Sequence, residues 1–474
     1  MTKRGRLYRA GILFFACALL ASSALAAPWI NMGVKDDFAF DQPGVTFEVF
    51  QQLANDAKGT SIGPSDGDGF FFVTNRFILD TGAGSIIAMN DAESELRSNG
   101  YVSENTVLEQ GVSGFEELDV SASYYLEARF DNGFVNAMPN SRIMSGQFPD
   151  LFGINGIVGM PGMVGKVVTL DTSNWANVQD IFDIEPMKAN MNNAIPASSG
   201  HRYSVPITAR LFALTGDPPL PTLSPIPTLH MGVGSDNLRA NGNFVLDTGA
   251  AISFISSAMA KAIGLDSNHD NQLGSGDERF SDTVPIGGIG GTIDAPLFAI
   301  DRIIVPTDQG VDLVWQLDQS LSIAIVDIDP SIDGVLGADL LTSGWFTFTE
   351  EGDFESTIGP IQQSHFDFRQ FAQDGDTGKI YFDLSPSFDV LQPDNPAGDF
   401  NGDGAVNAAD FVTLRKNGTP QDYDTWRSQF GMPGGASADS LASVPEPASL
   451  ILAAMTACGL AMHRKRSVIR SARS

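Results

Sequence analysis

Phe77-Ile78-Leu79-Asp80-Thr81-Gly82-Ala83 and Phe244-Val245-Leu246-Asp247-Thr248-Gly249-Ala250 are near copies of one another within a chain of 474 residues. Each runs three apolar residues of buried-strand character into one carboxylate, then turns at Thr-Gly, where glycine permits a tight bend. A single Asp-Thr-Gly is ordinary. Two copies with matched flanks point to a site that draws one carboxylate from each of two related halves. Two acids held together cannot both ionise cheaply, so they share a proton and place an acid beside a base.

The halves echo each other a second time. Ile154-Asn155-Gly156-Ile157-Val158-Gly159 ends 79 positions after Asp80, and Ile332-Asp333-Gly334-Val335-Leu336-Gly337 ends 90 positions after Asp247. An isolated Ile-Val-Gly is common strand sequence; its recurrence at similar distance from both acidic motifs is not. Over residues 40–385 these four elements, in this order, resemble the pepsin-like and retropepsin-like aspartic proteases. The resemblance implies a mainly β, bilobal, pepsin-like double β-barrel with a cleft between the lobes. It implies that Asp80 and Asp247 meet at the base of that cleft and activate water for attack on the peptide bond of a polypeptide substrate. It further implies that Thr81 and Thr248 hydrogen-bond across the lobe interface, that Gly82 and Gly249 allow the tight turns, and that catalysis needs no cofactor. Residues 334–341, Gly-Val-Leu-Gly-Ala-Asp-Leu-Leu, look closer to retropepsin-like sequences than to pepsin. So do Ala83 and Ala250. Pepsin-like enzymes carry Ser or Thr there, with a hydroxyl that donates to the carboxylate. Alanine cannot, so the carboxyl pKa values should rise and the pH optimum should move from strongly acid toward neutral.

Two segments are candidates for a flap over the cleft. Tyr124 and Tyr125 fall at about the distance from Asp80 where pepsin-like enzymes place a flap tyrosine, though without the expected glycines. In the second half, Gly288 and Gly290 lie in Gly287-Gly288-Ile289-Gly290-Gly291, which resembles a retropepsin-like glycine-rich hairpin. No helix pattern follows these glycines, which excludes a phosphate-binding loop.

Short apolar runs alternating with Gly, Asn and Asp turns predict two β-rich lobes at residues 28–215 and 228–385. The Pro-rich stretch 216–227 reads as an extended linker. Residues 1–26 form an export signal: Lys3, Arg4, Arg6 and Arg9, an apolar run, then Ala24-Leu25-Ala26. The chain carries 28 basic and 57 acidic residues, for a net charge of −29, which makes nucleic acid an implausible partner. The two cysteines, Cys17 and Cys458, both lie in terminal apolar segments, so the body between them has no disulfide. His201, His230, His269, His365 and His463 show no zinc spacing, and no Gly-x-Ser-x-Gly elbow appears.

Beyond the second lobe, Asp399, Asn401, Asp403, Asn407 and Asp410 occupy positions 1, 3, 5, 9 and 12 of a calcium loop. Gly404 sits at the turn, and the carbonyl of Ala405 would supply position 7. With Phe411–Asn417, this looks like a type I dockerin repeat within a small α-helical module at 396–432. That resemblance implies a bound calcium ion and raises a cohesin-like partner. The second repeat is reduced to Asp422–Arg427, so a calcium-stabilised stalk is an equal reading. A weaker loop, Asp266-x-Asn268-x-Asp270 with Asp277 at position 12, lies inside the second lobe. Residues 444–466 join Val-Pro-Glu-Pro, an apolar helix and Arg464-Lys465-Arg466, which resembles a PEP-CTERM sorting signal. It implies a membrane-associated C-terminal segment, processing by an exosortase-type enzyme, and a bacterial cell-envelope, surface or secreted location. Two functions therefore compete: an exported aspartic endopeptidase, and a catalytically silent pepsin-fold module that binds or supports at the cell surface.

Overall fold

The computed structural model describes residues 28–33, 39, 41–65, 74–148, 151, 153–177, 186–198, 201–236, 238–341, 344–348 and 354–385. Past residue 385 it describes only 411, 414, 415, 423, 426 and 427. The export signal, the calcium loop at Asp399–Asp410 and the sorting segment lie outside the described residues. The chain divides into two units, residues 27–392 and the combined termini 1–26 and 393–474. In the terminal unit, Phe411, Tyr423 and Trp426 form an aromatic cluster with ring centroids 5.0–5.9 Å apart. No described helix is long and apolar enough to cross a membrane.

The larger unit is mainly β, built on two large sheets of ten and thirteen strands. All ten strands of the first come from Gly44–Ser141, Met144–Gly146 and Gly156–Val158. The strands from Val167 onward join the second, together with Trp29–Asn31, which pairs in parallel with Asp312–Val314; the exceptions are Gly344–Phe348 and Phe354–Ile358, which pair only with each other. The division between sheets therefore falls near residue 160, not at the linker near 215. Strands Val167–Asp171, Lys188–Asn192 and Arg202–Arg210 have ordinary strand sequences, and alternation along a strand cannot reveal which sheet its edges complete. The Pro-rich segment is also less free than its composition suggests. It is pinned where Leu108 N donates to Thr215 O at 2.9 Å, Thr222 N to Arg142 O at 3.0 Å and Ser224 N to Gly84 O at 2.9 Å.

The repeated motifs occupy equivalent places in the two sheets. Strand Arg76–Leu79 buries Phe77 and Leu79, and Phe77 lies 4.6 Å from Phe47 between ring centroids. Phe244, Val245 and Leu246 are all buried, as expected for a strand covered on both faces. Behind each runs the second repeated element. Gly156–Val158 pairs in parallel with Arg76–Leu79 (Val158 beside Leu79), and Gly334–Leu336 pairs in parallel with the end of Leu238–Leu246 (Leu336 beside Leu246). Asp80 N then donates to Val158 O and Asp247 N to Leu336 O, both at 3.0 Å. Each acidic residue is thus fixed to a strand end by a backbone ladder from behind.

A buried polar group lies in the second sheet, where strands 167–171, 361–367, 377–384 and 202–210 stand side by side. Arg202 grips Asp383 with two bonds of 2.6 and 2.7 Å. His365, fully buried, lies between Asp383 Oδ2 at 3.1 Å and Thr169 Oγ1 at 2.8 Å. A neutral ring satisfies both contacts: Nε2–H donates to the carboxylate and Nδ1 accepts from the hydroxyl. Burial pushes the His365 pKa down, and the Arg202 and His365 contacts hold Asp383 below its usual range despite its own burial. Both folded pKa values lie below their unfolded ones, so the stability they contribute is full above about pH 6.5 and declines as pH falls. Replacing Arg202 by Met leaves the buried carboxylate without its cation. A loss of about 3–5 kcal/mol is expected, read as a lower urea midpoint at pH 7.5. His365→Gln should flatten the part of the stability profile between about pH 5 and 7.

Candidate active site

Each acidic loop turns its carboxylate back onto its own amides. Asp80 Oδ1 accepts from Gly82 N at 2.7 Å and Ala83 N at 3.1 Å. Asp247 Oδ1 accepts from Gly249 N at 2.8 Å and Ala250 N at 2.9 Å. Main-chain N–H groups of the alanines thus donate to the carboxylates, although their side chains cannot.

The two loops are tied by a reciprocal set of buried bonds. Thr81 Oγ1 donates to Leu246 O at 2.7 Å and accepts from Thr248 N at 3.1 Å. Thr248 Oγ1 donates to Leu79 O at 2.6 Å and accepts from Thr81 N at 3.1 Å. Each threonine reaches the carbonyl just ahead of the other loop's aspartate. Gly82 and Gly249 let the loops close. A Cβ on Gly82 would stand 2.5 Å from the Asp247 carboxyl carbon, and one on Gly249 the same distance from that of Asp80. Asp80, Asp247, Thr81, Gly82, Thr248 and Gly249 are thereby brought into one constellation.

The two carboxyls are hydrogen-bonded to each other, so one proton serves the pair and they titrate as a unit. Burial is the first cause of both upward shifts. The Asp247 charge adds to it at Asp80, which is held well above the usual carboxylate range. The amide donors pull both groups down without overcoming burial. The raised values expected from the missing hydroxyls therefore have a larger source in the dry surroundings of the pair.

The pair opens into a cleft of about 830 Å³ walled by residues of both sheets. Its roof consists of two hairpins. One joins strands Ser103–Gly111 and Gly114–Ser121 of the first half; the other joins Phe280–Gly288 and Gly291–Pro306 of the second. Their tips touch: a Cβ on Gly111 would meet Ile289 O at 2.0 Å, and one on Gly290 would meet Gly114 O at 2.9 Å. Gly290 also has φ of +87°, so glycine is required there by conformation as well as by space. Gln110 Nε2 adds a bond across the cleft to Ile328 O at 2.6 Å.

Gly288 and Gly290 thus stand in a roofing hairpin, whereas Tyr124 and Tyr125 do not. Their strand, Tyr124–Arg129, pairs with Gly44–Gln52 and lines no part of the cleft. Tyr124 is buried against Tyr101, its ring stacked at 5.6 Å, and its hydroxyl accepts from Val102 N at 2.9 Å; Tyr125 meets Phe50 edge-on. The first-half hairpin that lines the cleft is the earlier one, residues 103–121, which carries no tyrosine. Its signal was present in Val107-Leu-Glu-Gln-Gly111-Val-Ser-Gly114-Phe-Glu-Glu-Leu118, two alternating runs about a glycine-bounded turn.

Sequence reading also missed three groups on the cleft wall. Gln42 donates through Nε2 to Gly249 O beside the dyad. Glu109 and the connector residues Phe212–Thr215, Leu223 and Ser224 line the wall as well. Among the described residues no group of three or more His, Cys, Asp or Glu is arranged to hold a metal. In the loop 266–277, Asp277 spends its carboxylate on the loop's own amides, accepting from Ser267 N at 2.9 Å and Gly274 N at 3.1 Å.

No family model matches this chain, and no curated protein matches it. Among solved structures, the chain is similar to an aspartic proteinase from Irpex lacteus, at 10% identity and a TM-score of 0.34, over 65% of this chain and 90% of that one. It is also similar to basic 7S globulin from soybean, at 10% identity and a TM-score of 0.35, over 73% of this chain and 98% of that one. Neither likeness bears on the chemistry of the cleft.

Proposed function

We propose that this chain is a pepsin-fold aspartic endopeptidase whose catalytic pair is Asp80 and Asp247. The observation that carries the reading is the pair itself: two half-buried carboxyls, one from each half, hydrogen-bonded to each other in a cleft walled by both sheets. The ionised member of the pair would take a proton from water as its oxygen attacks the peptide carbonyl, while the protonated member gives its proton to the carbonyl oxygen. Collapse of the tetrahedral diol returns a proton through the pair to the leaving amine, and the C–N bond breaks. Each proton then has a donor and an acceptor within one hydrogen-bonded unit. The substrate class is extended polypeptide, since the hairpin strands and loop carbonyls offer main-chain partners along the cleft.

The reading extends to the termini, all outside the described residues. Export would follow from residues 1–26, and a calcium ion would be held by Asp399, Asn401, Asp403, Ala405, Asn407 and Asp410. Residues 444–466 would provide sorting by an exosortase-type enzyme after transient membrane association. The calcium module is proposed as a stalk or as a cohesin-type contact.

Purified protein incubated with denatured casein should cleave it. Asp80→Asn and Asp247→Asn should each lower the rate by about a thousandfold or more while leaving the circular dichroism spectrum intact. Equal rates in all three proteins, or none in any, would assign the fold a non-catalytic binding role. The singly protonated pair is the active form, and both members titrate above the ordinary carboxylate range. Activity should therefore peak in mildly acidic to neutral solution, and a maximum below about pH 3 would contradict the raised pKa values.

A further inference from the structure

Among the described residues, the titratable groups lining the cleft are Asp80, Glu109, Asp247 and Asp329, with no Lys, Arg or His. Asp80 and Asp247 are occupied with each other, and Asp329 accepts from Ser331 N at 2.8 Å. Glu109 is different. It stands on strand Ser103–Gly111, two residues before the flap turn. Alternation directs it to the same face as Val107, which is buried with Ile87, Met89, Leu118, Val120, Met144 and Phe148. The residue paired with it across the hairpin is Glu116, a second acid rather than a cation. Glu109 Oε2 is sealed from solvent with no hydrogen-bond partner. Desolvation alone pushes the carboxyl up to about 7.

An orphaned carboxylate oxygen in an apolar wall costs stability unless something arrives to satisfy it. A cation on a long alkyl stem matches this wall in both parts. The stem can lie along Met144, Leu151 and Ile154, which line the cleft, while the charged end reaches the carboxylate. An apolar side chain would leave the oxygen unpaired, an acidic one would add a repelling charge, and a neutral donor would pair with it without the charge assistance of a cation. We propose that Glu109 forms a subsite under the first-half flap that takes a lysine or arginine side chain of the bound polypeptide. This deepens the endopeptidase reading and rests on it only in taking polypeptide as the occupant of the cleft.

The test separates the two. Full-length Asp80→Asn protein is titrated at pH 8 with fluorescent decapeptides of otherwise apolar sequence, each with lysine or norleucine at one position in turn. Anisotropy should reveal one position at which lysine binds about tenfold tighter than norleucine or better, as expected of a charge-assisted bond formed away from water. Adding Glu109→Gln should bring that ratio to near one, and Glu109→Asp should retain part of it. The ratio is unaffected by any general loss of binding. A lysine preference that survives Glu109→Gln, or no lysine preference at any position, overturns the subsite. Should the wild-type chain cleave no peptide while the Glu109-dependent preference persists, the endopeptidase reading falls and the subsite stands. Cleavage without that preference has the opposite meaning.

Discussion

The crossed threonines hold the site together. Thr81 and Thr248 each bond to the carbonyl and the amide of the opposite loop, so neither aspartate can move without disturbing the strand that delivers the other. Taken singly, such bonds contribute only about 1 kcal/mol each to stability. Their effect here is geometric. They fix two loops from different sheets at a separation where two carboxyls must share a proton, and the glycines beside them leave room for nothing larger. A looser joint would let each carboxylate find water and ionise separately.

Closeness makes the two carboxyls share one proton, and burial keeps that proton on the pair against four amide donors. The amides of Gly82, Ala83, Gly249 and Ala250 favour the charged form, and in open water they would depress both pKa values. Burial acts in the opposite direction and is the stronger influence on each group. The amides then orient the carboxyls rather than setting their charge, since each loop holds its own aspartate by Oδ1.

What the sequence disclosed was what repeats within it. The two Asp-Thr-Gly loops and the two Gly elements were legible because each half must solve the same local problem, and the same residues solve it twice. The glycine-rich second hairpin was legible for a related reason, since its turn needs φ values that glycine adopts freely. The first hairpin solves its turn with Gly111-Val-Ser-Gly114, and its roofing role depends on contact with Ile289, distant in sequence. Tyr124 drew attention through a family habit of spacing, but its hydroxyl serves a neighbouring strand. Sheet membership was hidden too. Arg202–Arg210 pairs with Thr377–Leu384 on one edge and Ile226–Ser235 on the other, a choice made by partners that arrive later in the chain.

Two charge systems in the body respond to acid in opposite ways. The dyad has folded pKa values above its unfolded ones, so it favours the folded chain at low pH and loses that contribution as pH rises through them. The cluster of His365, Asp383 and Arg202 favours the folded chain above about pH 6.5 and weakens below it. It ties the strands at 167–171 and 202–210 to those at 361–384, all in the sheet that also carries Asp247 on the strand end at Leu246. Strong acid would therefore suit the protonation of the pair while loosening the sheet that positions half of it. Milder solution keeps the cluster intact, and the raised pKa values of the pair hold the shared proton to higher pH than ordinary carboxylates would. The condition that satisfies both is mildly acidic to neutral solution, and it follows from the surroundings of both charge systems rather than from any residue at the catalytic loops alone.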